Sequence, residues 1–188
     1  MQIKDLILQS KNEIEYQLNN LNEEDILLLT SRIRSHDIIY ITGIGKSESV
    51  AIHISNLLKS IGIKCFHLNI LNSLHGDIGT IEENDLLILL SKSGNTEELI
   101  SKIESFRLKK CCIIGITNNK YSELHNLCND TITLPFCNEL NNKKIPTNSC
   151  ISFILFFNII ISLLSTNITK DTYSINHSAG SIGESLKI

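Results

Sequence analysis

The spacing of apolar side chains changes along the chain, from a helical repeat near the start to short continuous runs further on. A stripe at helical spacing predicts an amphipathic helix over residues 3–18 and consists of Ile3, Ile7, Ile14 and Leu18. Asn22 is a typical N-cap for a second helix, because its side chain can accept a backbone N–H and three carboxylates follow it. The helical repeat ends after Arg34.

Short apolar runs then alternate with helical stretches from residue 36 to residue 166. The runs are typical of buried strands and lie at residues 38–42, 64–68, 86–91, 111–117 and 131–135. The helical stretches lie at residues 47–60, 95–110, 121–129 and 147–165. Strands that alternate with helices form right-handed βαβ units, so the predicted fold class is α/β, a five-stranded parallel sheet between two helical layers.

Residues 150–164 form the most apolar segment of the chain, which is compatible with a membrane helix or with a buried helix. A spanning helix needs about 20 predominantly apolar residues. This segment has 15 and includes Ser152, Asn158 and Ser162. We therefore predict a buried helix, in the core or at a subunit interface, and no membrane partner.

Composition and charge exclude several classes of protein. Seventeen Lys and Arg against 20 Asp and Glu give a net charge of −3, whereas a nucleic-acid-binding protein needs a basic face. The chain has no Trp and 5% aromatic residues, so few rings are available for bases to stack on. The six cysteines include no Cys-x-x-Cys pair, and the charged N-terminus contains no secretory apolar segment. These features predict a cytoplasmic protein with reduced thiols and no nucleic-acid partner.

The loop at residues 91–97 has the composition of an anion site. In an open parallel sheet the ligand lies beyond the carboxyl ends of the strands, and this loop follows a predicted strand and opens a helix. It offers the hydroxyls of Ser91, Ser93 and Thr96, and Gly94 permits a close backbone approach. Simple helix capping is the alternative, but capping needs one such residue. We therefore predict phosphate binding.

The loop at residues 42–48 is a glycine-rich turn. A dinucleotide fingerprint would require a third glycine at the position of Glu48, where a carboxylate would repel a pyrophosphate. What remains is a turn that presents Lys46 and Ser47 to an anionic or carbonyl-bearing ligand. The alternative is an exposed surface lysine after a turn.

Four further side chains could transfer protons. His75 lies beside Gly76 in a third loop, and a histidine is suited to proton transfer near neutral pH. Glu98 lies one turn into the helix after the anion loop, and Glu139 follows the fifth strand. His177 lies in a tail with little periodicity of apolar and polar residues, and no local sequence feature accounts for a histidine there.

Together these loops resemble the sugar isomerase (SIS) domain family, and within it the arabinose-5-phosphate isomerases. The matching motifs follow one another in register over essentially all 188 residues. They are Gly-Ile-Gly-Lys-Ser at 43–47, Leu-His-Gly-Asp at 74–77, Ser-Lys-Ser-Gly at 91–94, Pro-Thr-Asn-Ser at 146–149 and Asn-His-Ser-Ala-Gly at 176–180, with Glu98 and Glu139 between them.

The resemblance implies a flavodoxin-like strand order, a sugar-phosphate substrate and a homotetramer whose active sites are shared between subunits. It implies no metal or redox cofactor. Residues 1–188 would form one SIS domain, with N-terminal helices at 1–35, the α/β core at 36–166 and a tail at 167–188. Relatives often carry a pair of CBS regulatory modules, which we do not expect in this chain.

The resemblance also implies roles for individual residues. Catalysis would fall to Lys46, Glu98, Glu139 and His177. Substrate and phosphate binding would fall to Gly45, Ser47, His75, Ser91, Ser93, Gly94, Thr96 and Thr147. We expect Glu139 or Glu98 to be the base, with a pKa raised toward neutrality by burial. His177 would assist ring opening, and Lys46 would stabilise negative charge on oxygen.

The sequence departs from the family pattern at two loops. Glu48 stands where the family usually has glycine, and Ser178-Ala179 stand where it has Pro-Gly. These departures leave the length of the sugar open, so an isomerase of six- or seven-carbon sugar phosphates is one alternative. A non-catalytic sugar-phosphate sensor is the other, although a sensor has no chemical need for Glu98, Glu139 and His177 together.

Overall fold

Five parallel strands form one sheet in the computed structural model, which describes residues 2–140, 144–179 and 184. The strands are β1 (Ile39–Gly43), β2 (Cys65–His67), β3 (Leu86–Leu90), β4 (Cys112–Thr117) and β5 (Asp130–Thr133). Their order across the sheet is β2-β1-β3-β4-β5, with every neighbouring pair parallel. The predicted five-stranded parallel sheet and its flavodoxin-like order are therefore confirmed.

Seven α-helices connect or flank these strands within the described residues. They are α1 (Ile3–Asn19), α2 (Glu23–Ser35), α3 (Lys46–Ser60), α4 (Glu97–Arg107), α5 (Leu124–Leu127), α6 (Asn148–Ser165) and α7 (Lys170–Asn176). Two short 3₁₀ turns follow β2, at Ser73–His75 and Asp77–Thr80. The Asn22 side chain accepts the Glu24 N–H at 2.8 Å, so the predicted N-cap of α2 is confirmed.

Alternating strand residues divide the interior into two cores. Leu86, Ile88 and Leu90 of β3 pack in one core with residues of α2, α3 and α6. Leu87 and Leu89 point to the other face, where α4 and α5 cover them. Because successive side chains of a strand point to opposite faces, fully apolar strands require a helical layer on each side. The predicted three-layer arrangement is confirmed.

Helix α6 is the apolar segment that could have been read as a membrane span. It has 18 residues and a mean hydropathy of 1.9, so length and composition alone would permit a membrane crossing. In the structure it packs against α1, α2 and α3. Its fully buried face contributes Phe153, Phe156, Phe157 and Ile160 to the core. The prediction of a buried helix is confirmed for this face.

The tail contains a helix that the sequence pattern did not predict. Helix α7 is capped by Thr169, whose hydroxyl accepts the Thr172 N–H at 3.2 Å. The Asn176 side-chain amide donates to the Ser60 carbonyl at 3.2 Å and docks α7 at the last residue of α3. Helix α7 has no buried residue, and without an apolar stripe its sequence gave no periodic signal.

The predicted helix at residues 121–129 is also shorter in the structure, where only α5 is helical. A turn precedes it, because the Asn119 side chain accepts the Tyr121 N–H at 3.1 Å. Short polar side chains that bond nearby backbone groups favour turns over helix.

Candidate functional site

The loops that follow β1 and β3 meet where the strand order reverses. Strand β1 lies between β2 and β3, so the connections that leave β1 and β3 diverge and open a crevice at the carboxyl edge of the sheet. Beside it, a cleft of about 470 Å³ is lined by Lys92, Phe136, Cys137, Asn138, Glu139, Lys144 and Pro146. The structure therefore brings two of the predicted loops together with the segment that follows β5.

The anion loop, residues 91–96, is held in a fixed shape by its own hydroxyls. The Ser91 hydroxyl accepts the Gly94 N–H at 3.0 Å and lies 2.9 Å from the Thr96 hydroxyl. The exposed Ser93 hydroxyl accepts the Asn95 N–H at 3.2 Å. Ser91 is buried and shapes the loop, while Ser93 and Thr96 lie at its accessible side. The loop leads into the N-terminus of α4, whose first N–H groups favour an anion.

The turn after β4 anchors the backbone of the same loop. The Thr117 hydroxyl and the Asn118 N–H donate to the Lys92 carbonyl at 3.0 and 3.1 Å. The Asn119 side-chain amide donates to the Ser93 carbonyl at 2.9 Å. These bonds fix the backbone at Lys92 but leave its four-carbon side chain able to move.

Gly94 is the position of the anion loop that no other residue can fill. Its φ is +63°, and a Cβ built there would lie 2.3 Å from the Ser122 Cβ and 2.8 Å from the Thr117 hydroxyl. Any side chain would therefore be strained by backbone conformation and would also collide with the turn after β4.

Glu139 is a buried carboxylate at the N-terminus of α6. One of its oxygens, Oε1, accepts the Lys92 ammonium at 2.7 Å. The other, Oε2, accepts the Thr147 N–H at 2.8 Å, the Thr147 hydroxyl at 3.2 Å and the Ser149 N–H at 3.2 Å. The Glu139 side chain is only 7% exposed. The Glu139 carboxylate therefore accepts hydrogen bonds from otherwise unpaired N–H groups at the start of α6 and places a negative charge at the positive end of the helix dipole.

The donors around Glu139 decide its protonation state. Burial raises the pKa of this carboxyl, but the hydrogen bonds from Lys92, Ser149 and Thr147 outweigh burial and lower the pKa to about 2. The expectation that burial raises the pKa of the base toward neutrality is therefore wrong for Glu139. The N–H and hydroxyl of Thr147, which we expect to bind substrate, both donate to Glu139 in this structure.

Lys46 reaches the same region from the first residue of α3. It is exposed and follows Gly45, whose φ is +60°. Burial raises the pKa of the Cys150 thiol, Glu139 raises it further, and the Lys46 and Lys92 ammonium groups act in the opposite direction. The charges of Lys46, Lys92 and Glu139 therefore all act on the Cys150 thiol at the start of α6.

The extra carboxylate at Glu48 has a partner in the structure. Its Oε1 lies 3.3 Å from Nε2 of His67, at the end of β2. Glu48 is turned toward this imidazole at the outer strand of the sheet. The departure from the family pattern therefore places a carboxylate beside this imidazole, and Ser47 stays half-buried next to it.

Three other predicted residues do not join this cluster. Glu98 is exposed in the first turn of α4, and its carboxylate has no hydrogen bond or ion pair with the described residues. His75 is exposed in the first 3₁₀ turn. His177 lies beyond the end of α7, with its ring 4.1 Å from that of Tyr173.

The position of α7 keeps His177 far from Lys46 of the same chain. Helix α7 docks at Ser60, the last residue of α3, whereas Lys46 is the first. Helix α3 has 15 residues and at that length is roughly 22 Å long. Gly180, the last residue of the matching tail motif, lies outside the described residues.

A buried polar network that sequence reasoning missed holds the segment before Glu139. The Gln17 side chain is 1% exposed. Its amide donates to the carbonyls of Pro135 and Phe136 at 3.4 and 3.3 Å, and its oxygen accepts the Ser152 hydroxyl at 2.8 Å. Gln17 follows Ile14 by three residues and therefore lies on the apolar face of α1. A polar residue on that face was the sequence signal that could have indicated a buried hydrogen-bond network.

Lys92 and Ser149 were also missed. The signal for Lys92 was a cation in the middle of a predicted anion loop. Its partner Glu139 lies 47 residues away, a distance that no local pattern bridges.

The order of the strands and the crevice at their carboxyl ends define an α/β protein with a flavodoxin-like sheet. Residues 32–159 match the sequence profile of the SIS domain, and the chain belongs to the SIS domain family.

Three known proteins are among those to which the chain is similar. Arabinose 5-phosphate isomerase KpsF of Escherichia coli O6:H1 is 30% identical over 173 residues, which are 90% of this chain and 52% of the relative. The chain spans about half the length of the curated relatives it matches.

Two solved structures share the fold. One is the Escherichia coli CFT073 protein c3406 in complex with arabinose 5-phosphate, with a TM-score of 0.86, 22% identity, and coverage of 93% of this chain and 95% of that one. The other is the sugar isomerase domain of the RpiR transcription factor from Sphaerobacter thermophilus, with a TM-score of 0.78, 15% identity, and coverage of 94% and 96%.

We predict that Gly94→Ala destabilises the protein by about 2 kcal/mol or more, because strain at positive φ adds to the collision with Ser122. Gly79→Ala is the matched control, since a Cβ at Gly79 meets nothing within 4 Å. Urea unfolding monitored by circular dichroism measures both variants. Equal stabilities of the two variants would contradict the assigned role of Gly94.

We predict that Glu139→Gln destabilises the protein by about 1–3 kcal/mol at neutral pH. The pKa of Glu139 is lowered from 4.5 to about 2, so its ionised form contributes stability above pH 4.5, and the contribution is lost as the pH falls toward 2. The difference between wild type and variant should shrink over that window in urea unfolding at successive pH values. Glu104→Gln, at a carboxylate that is 70% exposed, should show no such dependence; a pH-independent difference for Glu139→Gln would contradict the ionic role.

Proposed function

We propose that this protein is an aldose–ketose isomerase of a sugar phosphate, which interconverts ribulose 5-phosphate and arabinose 5-phosphate through an enediol. The observation that carries the proposal is the ion pair of Lys92 with an ionised Glu139 beside a preformed anion loop. The Lys46 ammonium acts on the same Cys150 thiol as Glu139 and Lys92. The 30% identity to an arabinose 5-phosphate isomerase supports this substrate. The proposal covers residues 1–188 as one SIS domain and locates it in the cytoplasm.

The phosphate group would bind at the anion loop. The N-terminus of α4, the exposed Ser93 hydroxyl and the accessible Thr96 hydroxyl offer donors without a metal ion. Gly45 and Ser47 approach from the turn after β1, and His75 would orient sugar hydroxyls. Thr147 acts through Glu139, because its N–H and hydroxyl both donate to that carboxylate.

The reaction moves a proton between C1 and C2. A base removes the proton from one carbon, the electron pair forms the C=C bond of the enediol, and the carbonyl oxygen becomes negative. Lys46 stabilises this oxygen. The protonated base then returns the proton to the other carbon, while the hydroxyl proton of the carbon that becomes the new carbonyl passes to the former carbonyl oxygen. The reaction therefore requires neither a redox cofactor nor a metal.

Both candidate bases remain part of the proposal, for different reasons. The Glu98 carboxylate is exposed and unpaired among the described residues, so it can accept a proton. The Glu139 carboxylate is saturated with donors and, with a pKa of about 2, is a weak base as it is held in the structure. Glu139 can serve as the base only when one of its donors moves away.

We further propose a homotetramer in which His177 completes the site of a neighbouring subunit. Within one chain, His177 and Lys46 lie at opposite ends of α3. The exposed apolar side chains of α1 provide a surface for such assembly, and they include Ile3, Ile7 and Leu8. His177 would assist ring opening as a proton donor.

A non-catalytic sugar-phosphate sensor is the second candidate. The sugar isomerase domain of a transcription factor has the same fold, and a donor-saturated Glu139 could serve structure alone. The two functions differ in turnover, not in ligand binding.

We expect the purified protein to interconvert ribulose 5-phosphate and arabinose 5-phosphate without added metal. Glu139→Gln should reduce turnover by about 10² or more, while its affinity for the sugar phosphate stays near that of wild type. Glu97→Gln, at an exposed carboxylate in the same turn as Glu98, is the control and should keep its activity. A coupled assay should include five-, six- and seven-carbon phosphates; binding without turnover of any of them would favour the sensor.

We expect mixed oligomers to regain activity if subunits share sites. Co-expression of Glu139→Gln with His177→Asn should restore about a quarter of the sites, since each site combines residues of two chains. Co-expression of Glu139→Gln with Lys46→Met is the matched control, because both residues act on the Cys150 thiol of the same chain and would serve the same site. Recovery in the control, or none in the first mixture despite verified mixing of subunits, would contradict the shared site.

A further inference from the structure

We infer that Lys92 is an exchangeable partner of Glu139: its ammonium group leaves the carboxylate for a phosphate oxygen of the bound ligand, and this exchange frees Glu139 Oε1 to accept a proton. The inference rests on the proposed function of the site, which it deepens by adding a phosphate-binding residue. It also makes the reactivity of Glu139 depend on the ligand.

The first observation is the position of Lys92. Its backbone belongs to the anion loop, between Ser91 and Ser93, and its side chain lines the cleft with Lys144. The Lys92 side chain is 37% exposed, whereas that of Glu139 is 7% exposed. The ammonium group is therefore within reach of both the buried carboxylate and an anion in the loop.

The second observation is the distribution of donors on the two oxygens of Glu139. Oε2 accepts three bonds from the start of α6, and their donors are two backbone N–H groups and the Thr147 hydroxyl. Oε1 accepts one bond, from Lys92. A carboxylate oxygen offers about two acceptor directions, so Oε1 is the atom that can still take a proton.

The third observation is the mobility of the donors. The backbone donors cannot leave without unwinding the first turn of α6, and the Thr147 and Ser149 hydroxyls sit on short side chains. Lys92 carries its ammonium on a flexible four-carbon stem. Of the donors to Glu139, Lys92 is therefore the one that a ligand can remove.

The surrounding charges set the direction of the effect. Besides Lys92, the region contains Lys46 at the start of α3 and Lys144 on the rim of the cleft, while Glu13 of α1 acts on the nearby Cys137 thiol. Of the groups that lower the pKa of Glu139, Lys92 has the largest effect. When Lys92 moves away, burial counts for more, the pKa rises, and Glu139 becomes a stronger base.

The exchange fits a balanced proton transfer. Lys92 stays protonated and changes only its partner, from Glu139 Oε1 to a phosphate oxygen. The C–H proton of the sugar moves to Oε1, and its electron pair forms the C=C bond of the enediol. The proton then returns to the neighbouring carbon, while the hydroxyl proton of the carbon that becomes the new carbonyl passes to the former carbonyl oxygen. A site with no phosphate keeps Glu139 paired and unreactive.

The test uses wild type, Lys92→Met and Lys120→Met. Methionine keeps much of the length of the lysine stem without its charge. Lys120 lies in the loop after β4 and stacks on Tyr121, so its replacement removes the same charge from the same edge of the sheet. By calorimetry, inorganic phosphate and arabinose 5-phosphate should bind Lys92→Met about tenfold more weakly than wild type. Lys120→Met should bind like wild type.

A second readout follows Glu139 itself and needs no turnover. In ¹³C-glutamate-labelled protein the Glu139 carboxyl signal is assigned by its loss in Glu139→Gln. In wild type without phosphate this signal should not titrate between about pH 4 and 7. With saturating phosphate its midpoint should rise into that range, and in Lys92→Met it should lie there with or without phosphate.

Two results would overturn the inference: affinity for phosphate unchanged in Lys92→Met, or a wild-type Glu139 signal that does not respond to saturating phosphate. Because the wild-type titration does not use Lys92→Met, a Lys92→Met protein that failed to fold would leave the test intact. The outcomes also separate the inference from the proposed function. A phosphate-responsive Glu139 in a protein without isomerase activity would support the exchange and refute the isomerase, and turnover with an unresponsive Glu139 would do the reverse.

Discussion

The ionised carboxylate of Glu139 is the constraint on which the architecture of the site depends. It joins three segments that are remote in sequence: the anion loop through Lys92, the segment after β5 that carries Glu139, and the first turn of α6 through Thr147 and Ser149. A carboxylate with so little exposure is costly to bury unless donors compensate it. Four donors do so here, and the loops of the site are thereby fixed relative to each other.

The hydrogen bonds to Glu139 that stabilise the folded protein also make this carboxylate less reactive as a base. Each donor that stabilises the ionised form of Glu139 weakens the carboxylate as a base, which is why burial did not raise its pKa. Backbone donors at a helix N-terminus are permanent, whereas a lysine donor can be exchanged. A site built from three fixed donors and one movable one can be stable without ligand and reactive with it.

The sequence predicted the parts of this protein whose information is local. Continuous apolar runs marked the strands, and Gly94 and Ser91 were found because a short motif specifies a loop. Helix α7 in the tail could not be predicted, because its sequence contains no apolar stripe at helical spacing. The hydrogen bond that docks it joins Asn176 to Ser60, which are 116 residues apart in the sequence. The pairing of Lys92 with Glu139 was missed because these residues are also remote from each other in the sequence. The pKa of Glu139 was predicted in the wrong direction because the prediction considered burial but not the hydrogen-bond donors around the carboxylate.

Helix α6 explains why a carboxylate occupies this place at all. Its own first turn contains no acidic residue, so no side chain of the helix compensates the positive end of its dipole. Its buried face is fixed in the core by Phe153, Phe156 and Phe157, which leaves the N-terminus directed at the crevice. Glu139 supplies the missing negative charge from outside the helix. The packing that stabilises the fold therefore also presents N–H groups to Glu139, one of the two candidate bases of the proposed chemistry.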